Sequence, residues 1–424
     1  MTFFFTLTII LLGCILLRLL CKKIHLPALI GYLLLGILLA FLEDKFSTDS
    51  FHFLDPNISS ISSYLRKIAL IIILAKAGLS LNLSDLKKVG RPAILMSFLP
   101  AVIEMCAVGI FAPLLFPSLN YIDSFLLGSV LGAVSPAVVV PMMSKLMDEQ
   151  YGTEKGIPQL IIAASSIDDI IMIVFFQCFL SMEKGNNLSY ISFLNIPSSI
   201  ILGILLGVLF GFSINLILKF KNIDETILLI LIFGISFGFT LLEEVVSSYI
   251  GISSLLAVIS MCVIIKLKNP IIVKNLVSKC NKLWILSEMF LFVLVGACIK
   301  INYAGKYFLL SLLLLLISLS FRSLAVSLSL IKTKLNLKER SFTIISYIPK
   351  ATVQAAIGST LLDLGNQLLQ NGITTDNTYR IIEVGTIVLS VSVVAILITA
   401  PLGAILMNSL YKHMLEKNET IKIN

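Results

Sequence analysis

Two aspartates stand side by side in Ala163-Ala164-Ser165-Ser166-Ile167-Asp168-Asp169-Ile170-Ile171, a run otherwise almost wholly small or apolar. Burial and the adjacent like charge each favour a carboxyl that holds a proton, so the pair should titrate as one coupled unit. Such a group can trade its proton for a cation. Carboxylate oxygens are hard ligands that suit a small hard ion, whereas a transition metal would normally bring His or Cys. The three histidines (His25, His52, His413) lie outside the apolar runs, and the seven cysteines form no CxxC spacing. Adjacent helical positions point about 100° apart, so one acid can face a watery cavity while the other faces the interior. The alternative is a structural pair neutralised by Lys350 or Arg322.

Other charges sit where charges are expensive. Lys76, Glu104, Arg322 and Lys350 all fall within apolar runs, and a charge at mid-membrane costs about 2.5–3.5 kcal/mol on insertion scales. Glu104 and Arg322 occupy equivalent places in the two halves of the chain and are expected to pair, because each would otherwise be stranded. Lys76 lies near the end of a weak span and reads as a snorkelling lysine. Glu243 and Glu244 follow an apolar run and read as loop. Two runs carry helix-breaking chemistry, Gly132-Ala133-Val134-Ser135-Pro136 and Ile348-Pro349-Lys350-Ala351-Thr352. Proline removes a backbone donor and disfavours helix at the residue before it, so both runs should unwind at Pro136 and Pro349. Lys350 would then stand where opposed half-helix ends leave unbalanced dipole charge, able to meet carbonyl ends or a carboxylate.

The elements that must hold these residues follow from composition. The 424 residues are 58% hydrophobic and 13% charged, about half the charge of a soluble domain, and the mean hydropathy is +1.01. A net charge of +8 spread between apolar runs argues against nucleic acid as a partner. About thirteen runs approach the roughly 20 residues that a bilayer core demands: 3–20, 27–42, 66–83, 92–116, 122–147, 157–182, 196–219, 226–241, 250–267, 283–299, 307–331, 340–366 and 378–410. All read as helix, since a lone segment in lipid must satisfy its own backbone. Of the 32 lysines and arginines, 22 gather in alternate connecting segments and the tail, Lys22, Lys87, Lys88, Lys155, Lys221, Lys338 and Lys422 among them. Seven lie in the other segments, including Lys184, Lys300, Lys306 and Arg380. That bias places the N-terminus outside and the C-terminus in the cytoplasm. No basic region precedes the first run, so it reads as a span and not as a cleaved leader.

Glu104 precedes Pro136 by 32 residues and Arg322 precedes Pro349 by 27. In each half a helix with a buried charge leads to a broken helix, and a long helix follows. With 196–219 as a linker, two six-helix units of opposite orientation result, the inverted-repeat arrangement of secondary transporters. The expected fold is an all-α polytopic membrane protein with two crossed discontinuous helices. Only one half carries the acid pair, which implies one ion site per chain.

The stretch Leu131 to Pro141, the loop Tyr151-Gly152-Thr153-Glu154-Lys155-Gly156-Ile157-Pro158, the Asp168-Asp169 pair and Pro349-Lys350-Ala351-Thr352-Val353-Gln354-Ala355-Ala356-Ile357-Gly358-Ser359 together resemble the sodium/hydrogen exchangers of the solute carrier 9B branch, over about residues 65–410. The resemblance implies the Na⁺/H⁺ antiporter fold. A mobile core (92–182 and 307–410) would carry the ion, a scaffold (1–91 and 196–306, with linker helix 196–219) would form a homodimer, and 411–424 would be a cytoplasmic tail. It makes Asp169 the main carrier and Asp168 its partner, pairs Glu104 with Arg322, and matches Lys350 to the family's broken-helix lysine. Where some two-aspartate relatives carry a titrating lysine, this chain has Arg322, which stays charged, so electroneutral exchange is expected.

The resulting expectation is a non-enzymatic carrier of the plasma membrane that exchanges Na⁺ or Li⁺ for H⁺ by alternating access and needs no cofactor. The cation would sit on Asp169, helped by Asp168 and the hydroxyls of Ser135 or Thr352. A sodium-coupled organic-solute symporter of related fold is the alternative, to be separated by labelled-solute uptake. An intramembrane aspartyl protease would need its acids on different helices and a GxGD segment, which the sequence lacks.

Overall fold

The computed structural model describes residues 2–24, 26–48, 51–81, 90–184, 190–220, 223–246, 251–299 and 301–418, without the side chains of residues 59, 166, 184, 190–197, 301–304 and 306. His25, Lys87, Lys88, Lys221, Lys300 and Lys422, and the side chains of Lys184 and Lys306, therefore lie outside the described residues. Those residues form sixteen helices and no strand: α1 (Thr2–Lys23), α2 (Ala28–Phe46), α3 (Pro56–Ser80), α4 (Arg91–Leu115), α5 (Tyr121–Leu131), α6 (Pro136–Asp148), α7 (Ile157–Lys184), α8 (Tyr190–Phe220), α9 (Glu225–Val246), α10 (Ser254–Lys268), α11 (Pro270–Ala297), α12 (Ile301–Ser329), α13 (Leu337–Ser346), α14 (Thr352–Ile357), α15 (Thr360–Gln370) and α16 (Asp376–Met414).

Nine segments among the described residues are long and apolar enough to cross a bilayer, with α5 and α6 counted as one. The four further runs that the sequence suggests show why they fall short of that measure. The helix for 27–42 ends in Glu43-Asp44-Lys45, and that for 66–83 carries Arg66, Lys67 and Lys76. The helix for 250–267 has 15 residues, and the run 340–366 is divided into α13, α14 and α15.

Two compact units make up the chain: Met1–Ser63, Asn82–Met172 and Leu291–Asn424 form one, Tyr64–Leu81 and Ile173–Phe290 the other. In the second unit α8 packs along α10. The approach is close enough that a Cβ on Gly207 would lie 2.2 Å from the Ala257 carbonyl oxygen. Glu243 and Glu244 belong to α9 and not to a loop. Glu243 accepts from the Ser254 amide at the start of α10 (3.1 Å), so it serves as a cap, and Glu244 pairs with Lys67 at 3.4 Å. Lys76 sets its ammonium over the Trp284 ring, 5.8 Å from the centroid.

In the first unit α4 packs against α5 and α12, and α16 runs past α5, α6, α12, α13, α14 and α15. At 39 residues α16 is about 58 Å long, enough to touch both ends of its neighbours. Both sequence-predicted breaks are present. α5 stops at Leu131 and α6 begins at Pro136; α13 stops at Ser346 and α14 begins at Thr352. Pro136 takes the first helical position, where its missing N–H is no loss. The breaks cross, since the Ser135 amide donates to the Pro349 carbonyl at 2.9 Å. Gly403 of α16 lets this happen: a Cβ there would lie 2.4 Å from Pro349 Cγ.

Candidate ion site at the crossed helix breaks

A helix that ends inside a protein leaves its last four carbonyls without partners and a partial negative charge on them. α5 ends this way, and the carbonyls of Val130, Leu131, Gly132 and Ala133, at its end and just beyond, find donors from elsewhere. Gln354 Nε2 donates to Val130 O (2.9 Å) and Ala133 O (3.0 Å), Lys350 Nζ donates to Leu131 O, and Arg322 Nη1 donates to Gly132 O. Three side chains, two of them cations, thus complete the broken helix. All three are almost fully buried.

The same two cations gather the acids. Lys350 Nζ lies 2.9 Å and 2.8 Å from the two carboxylate oxygens of Glu104. Arg322 pairs with Glu104 through Nη1 and with Asp168 through Nη2, the latter at 2.7 Å. Its guanidinium also stacks on Tyr347, 5.3 Å from the ring centroid. A planar fork with several donors held in fixed directions serves two carboxylates and a carbonyl at once. The result is a chain of alternating charge, Lys350, Glu104, Arg322 and Asp168, drawn from the second break, α4, α12 and α7. Two positive and two negative groups balance among themselves, and each is at most 1% exposed.

Asp169 stands outside this chain. It is partly buried, its Oδ1 is buried, and neither oxygen has a hydrogen-bond or ion-pair partner among the described residues. Asp168 Oδ1 and Gln354 Oε1 are likewise buried and unpaired. A buried acceptor without a donor is costly unless a proton, cation or water meets it. Three such oxygens occur on Gln354, which donates to the end of α5, on Asp168, which Arg322 links to it, and on Asp169, next in sequence. Ser135 and Thr352, the expected hydroxyl ligands, meet each other at the crossing with their oxygens 3.5 Å apart. No hydrogen bond links them to either aspartate among the described residues. No group of three or more His, Cys, Asp and Glu side chains suited to a resident metal occurs among those residues.

The expected Glu104–Arg322 pair is present, and Lys350 meets both a carboxylate and a carbonyl end. Arg322 also holds Asp168, so the alternative reading of a neutralised pair applies to one aspartate and not to its neighbour. Sequence reasoning missed Gln354. The signal was available as an uncharged amide in an apolar six-residue helix beside a break.

Three comparisons bear on what this arrangement is. A family model described as sodium/hydrogen exchanger, transmembrane, matches residues 7–407. Sodium/hydrogen exchanger 9B2 of Xenopus tropicalis is 33% identical over 367 residues, which are 85% of this chain and 65% of that protein. Sodium/hydrogen exchanger 9B2 of Homo sapiens is 32% identical over 403 residues, 93% of this chain and 71% of that one. The chain thus spans about two thirds of the length of these relatives. In fold it is similar to a sodium proton antiporter of Methanocaldococcus jannaschii, with a TM-score of 0.79 at 23% identity over 98% of this chain and 99% of the other. The family match leaves out only the two ends of the chain, and nine segments among the described residues are apolar and of spanning length: the chain belongs to the sodium/hydrogen exchanger family of integral membrane proteins.

Proposed function

We propose that this protein exchanges a monovalent cation, Na⁺ or Li⁺, for H⁺, with Asp169 as the group that carries either one. The observation behind this reading is the contrast between a self-neutral chain of four buried charges and one further acid with no hydrogen-bond or ion-pair partner among the described residues. An unpaired carboxylate in a low-dielectric site must take a proton or a cation. Because both compete for one group, binding of one releases the other, and no separate coupling device is needed. Asp168 Oδ1 and the hydroxyls of Ser135 and Thr352 complete the cation's ligands in this reading.

The same contrast supports electroneutral exchange. A second transported proton would need a second titrating group, and Arg322 keeps its proton while it holds Asp168. The core of residues 92–182 and 307–410 moves against a scaffold of 1–91 and 196–306 in an elevator-type cycle, and the scaffold forms a homodimer. The protein sits in the plasma membrane with its N-terminus outside and its C-terminal tail in the cytoplasm.

The test is Asp169→Asn in proteoliposomes loaded with a pH-sensitive dye. The variant keeps the size of the side chain and is expected to abolish proton movement driven by a Na⁺ or Li⁺ gradient. Normal exchange in that variant would overturn the proposal.

A further inference from the structure

Two buried acids at opposite ends of the core have no part in the cluster at the breaks, and they match each other in detail. Asp123 is the third residue of α5 and Glu339 the third residue of α13. Each closes a capping box, Asn120 with Asp123 and Asn336 with Glu339, in which each asparagine side chain accepts from the acid's amide at 2.9 Å. The carboxylates return the bond to the asparagine amides at 2.9 Å and 2.8 Å. A capping box normally sits at the surface and needs nothing more. Here both acids are 0% exposed, and each takes a cation from the chain that follows the other broken helix. Arg380, in the first turns of α16, reaches Asp123 at 2.7 Å; Lys155, two residues before α7, reaches Glu339 at 2.9 Å.

The pattern is reciprocal. α5 and α13 are the half-helices that enter the two breaks, α6 and α14–α15 are the pieces that leave them, and α7 and α16 are the next full helices in the chain. One ion pair ties the entry of the first break to α16, and the other ties the entry of the second to the loop that leads into α7. An 11-residue helix is about 16 Å long and moves as a rod, so a shift at Asp123 is carried to the carbonyls of Val130 through Ala133. A shift at Glu339 likewise moves Lys350, Thr352 and Gln354, which follow α13. α16 closes the circuit, because Thr399 Oγ1 accepts the Lys350 amide at 2.9 Å.

We propose that Asp123–Arg380 and Glu339–Lys155 are a matched pair of clamps whose four residues position the ion site from a distance by fixing the register of the two crossed breaks. The proposal rests on the Na⁺/H⁺ reading of that site. The clamps differ in one respect. Lys155 also reaches Glu416 of the C-terminal tail at 3.1 Å, where Gly152 N donates to Glu416 O (2.8 Å) and Asn418 N to Gln150 O (2.9 Å). The tail therefore reinforces one clamp and not the other. The Lys155 ammonium is held above the usual lysine value of 10.5 chiefly by its hydrogen bond to Glu339, against the opposing effect of burial and with help from Glu416. Its contribution is complete below that value and is lost only as pH rises beyond it, so this clamp stays closed through the neutral range.

The test compares Arg380→Gln, Lys155→Gln and Glu416→Gln in proteoliposomes, where KM for Na⁺ and maximal rate are measured separately. Arg380 and Lys155 are partly exposed (34% and 28%), so their replacement leaves no new cavity. Each is expected to raise KM roughly tenfold, the scale of a disturbed buried pair after partial rescue by water, with maximal rate nearly kept. Arg380→Lys and Lys155→Arg should restore KM, and Glu416→Gln should act in the same direction but less. A fall in maximal rate or protein yield at unchanged KM would mean that the pairs only hold the fold, and would overturn the proposal. Failure of the conservative variants to restore KM would do the same. Absence of exchange in the unaltered protein would instead refute the exchanger reading, so the two failures are distinguishable.

Discussion

The two helix breaks cross each other and are chemically opposite. The first, between Leu131 and Pro136, offers acceptors: the carbonyls of Val130, Leu131, Gly132 and Ala133 all point to side chains from elsewhere. The second, between Ser346 and Thr352, and the short helix after it offer donors, Lys350 and Gln354, to those carbonyls. The Ser135 amide, which donates to the Pro349 carbonyl, reverses the direction. A broken helix is usually described by the dipole ends that it exposes. Here the end of α5 is already occupied by protein, which leaves a cation's charge to be met by carboxylate, the role proposed above for Asp169.

The division into giver and receiver can be broken in graded steps. Lys350→Met removes the donor that serves both Glu104 and Leu131 and leaves a buried charge short of a partner; the expected loss is about 3–5 kcal/mol, read as a lower thermal midpoint in detergent. A Lys350→Met protein as stable as the parent would mean that Arg322 alone suffices for Glu104. Gln354→Leu fills the same volume but orphans the carbonyls of Val130 and Ala133, and should cost about 1–3 kcal/mol. If that variant transports with altered preference among Na⁺, Li⁺ and K⁺ at similar stability, then Gln354 Oε1 faces the cation as well. Gly403→Ala tests the crossing itself. Alanine favours helix over glycine by about 1 kcal/mol, yet its methyl would press on the rigid Pro349 ring, so a net loss of about 1 kcal/mol is expected. A stabilised variant would show that the two breaks have room to separate.

Much of this was legible in the residues alone. Proline and glycine marked both breaks, and stranded charges of opposite sign in equivalent helices announced the Glu104–Arg322 pair, because isolation in an apolar run is itself a demand for a partner. What could not be read was valence. Nothing in the sequence says that one guanidinium serves Glu104, Asp168 and Gly132 together, since that depends on three helices arriving at one point. The clamps illustrate the complementary blind spot. Asn120 to Asp123 and Asn336 to Glu339 are capping boxes visible by spacing, but Arg380 figured only as a charge that orients the chain, and Lys155 only as such a charge and as part of a loop resembling the family's. A tertiary partner 257 residues away, as for Arg380 and Asp123, leaves no local trace.

The self-balancing of Lys350, Glu104, Arg322 and Asp168 bears on how the exchanger proposed here would answer to voltage. One elementary charge moved through 100 mV exchanges about 2.3 kcal/mol with the membrane potential. A moving body whose four fixed ions cancel, and whose remaining acid is neutralised by its passenger, presents no net charge to that field. Its direction would then be set by the two concentration gradients alone, and a cell could depolarise without reversing it.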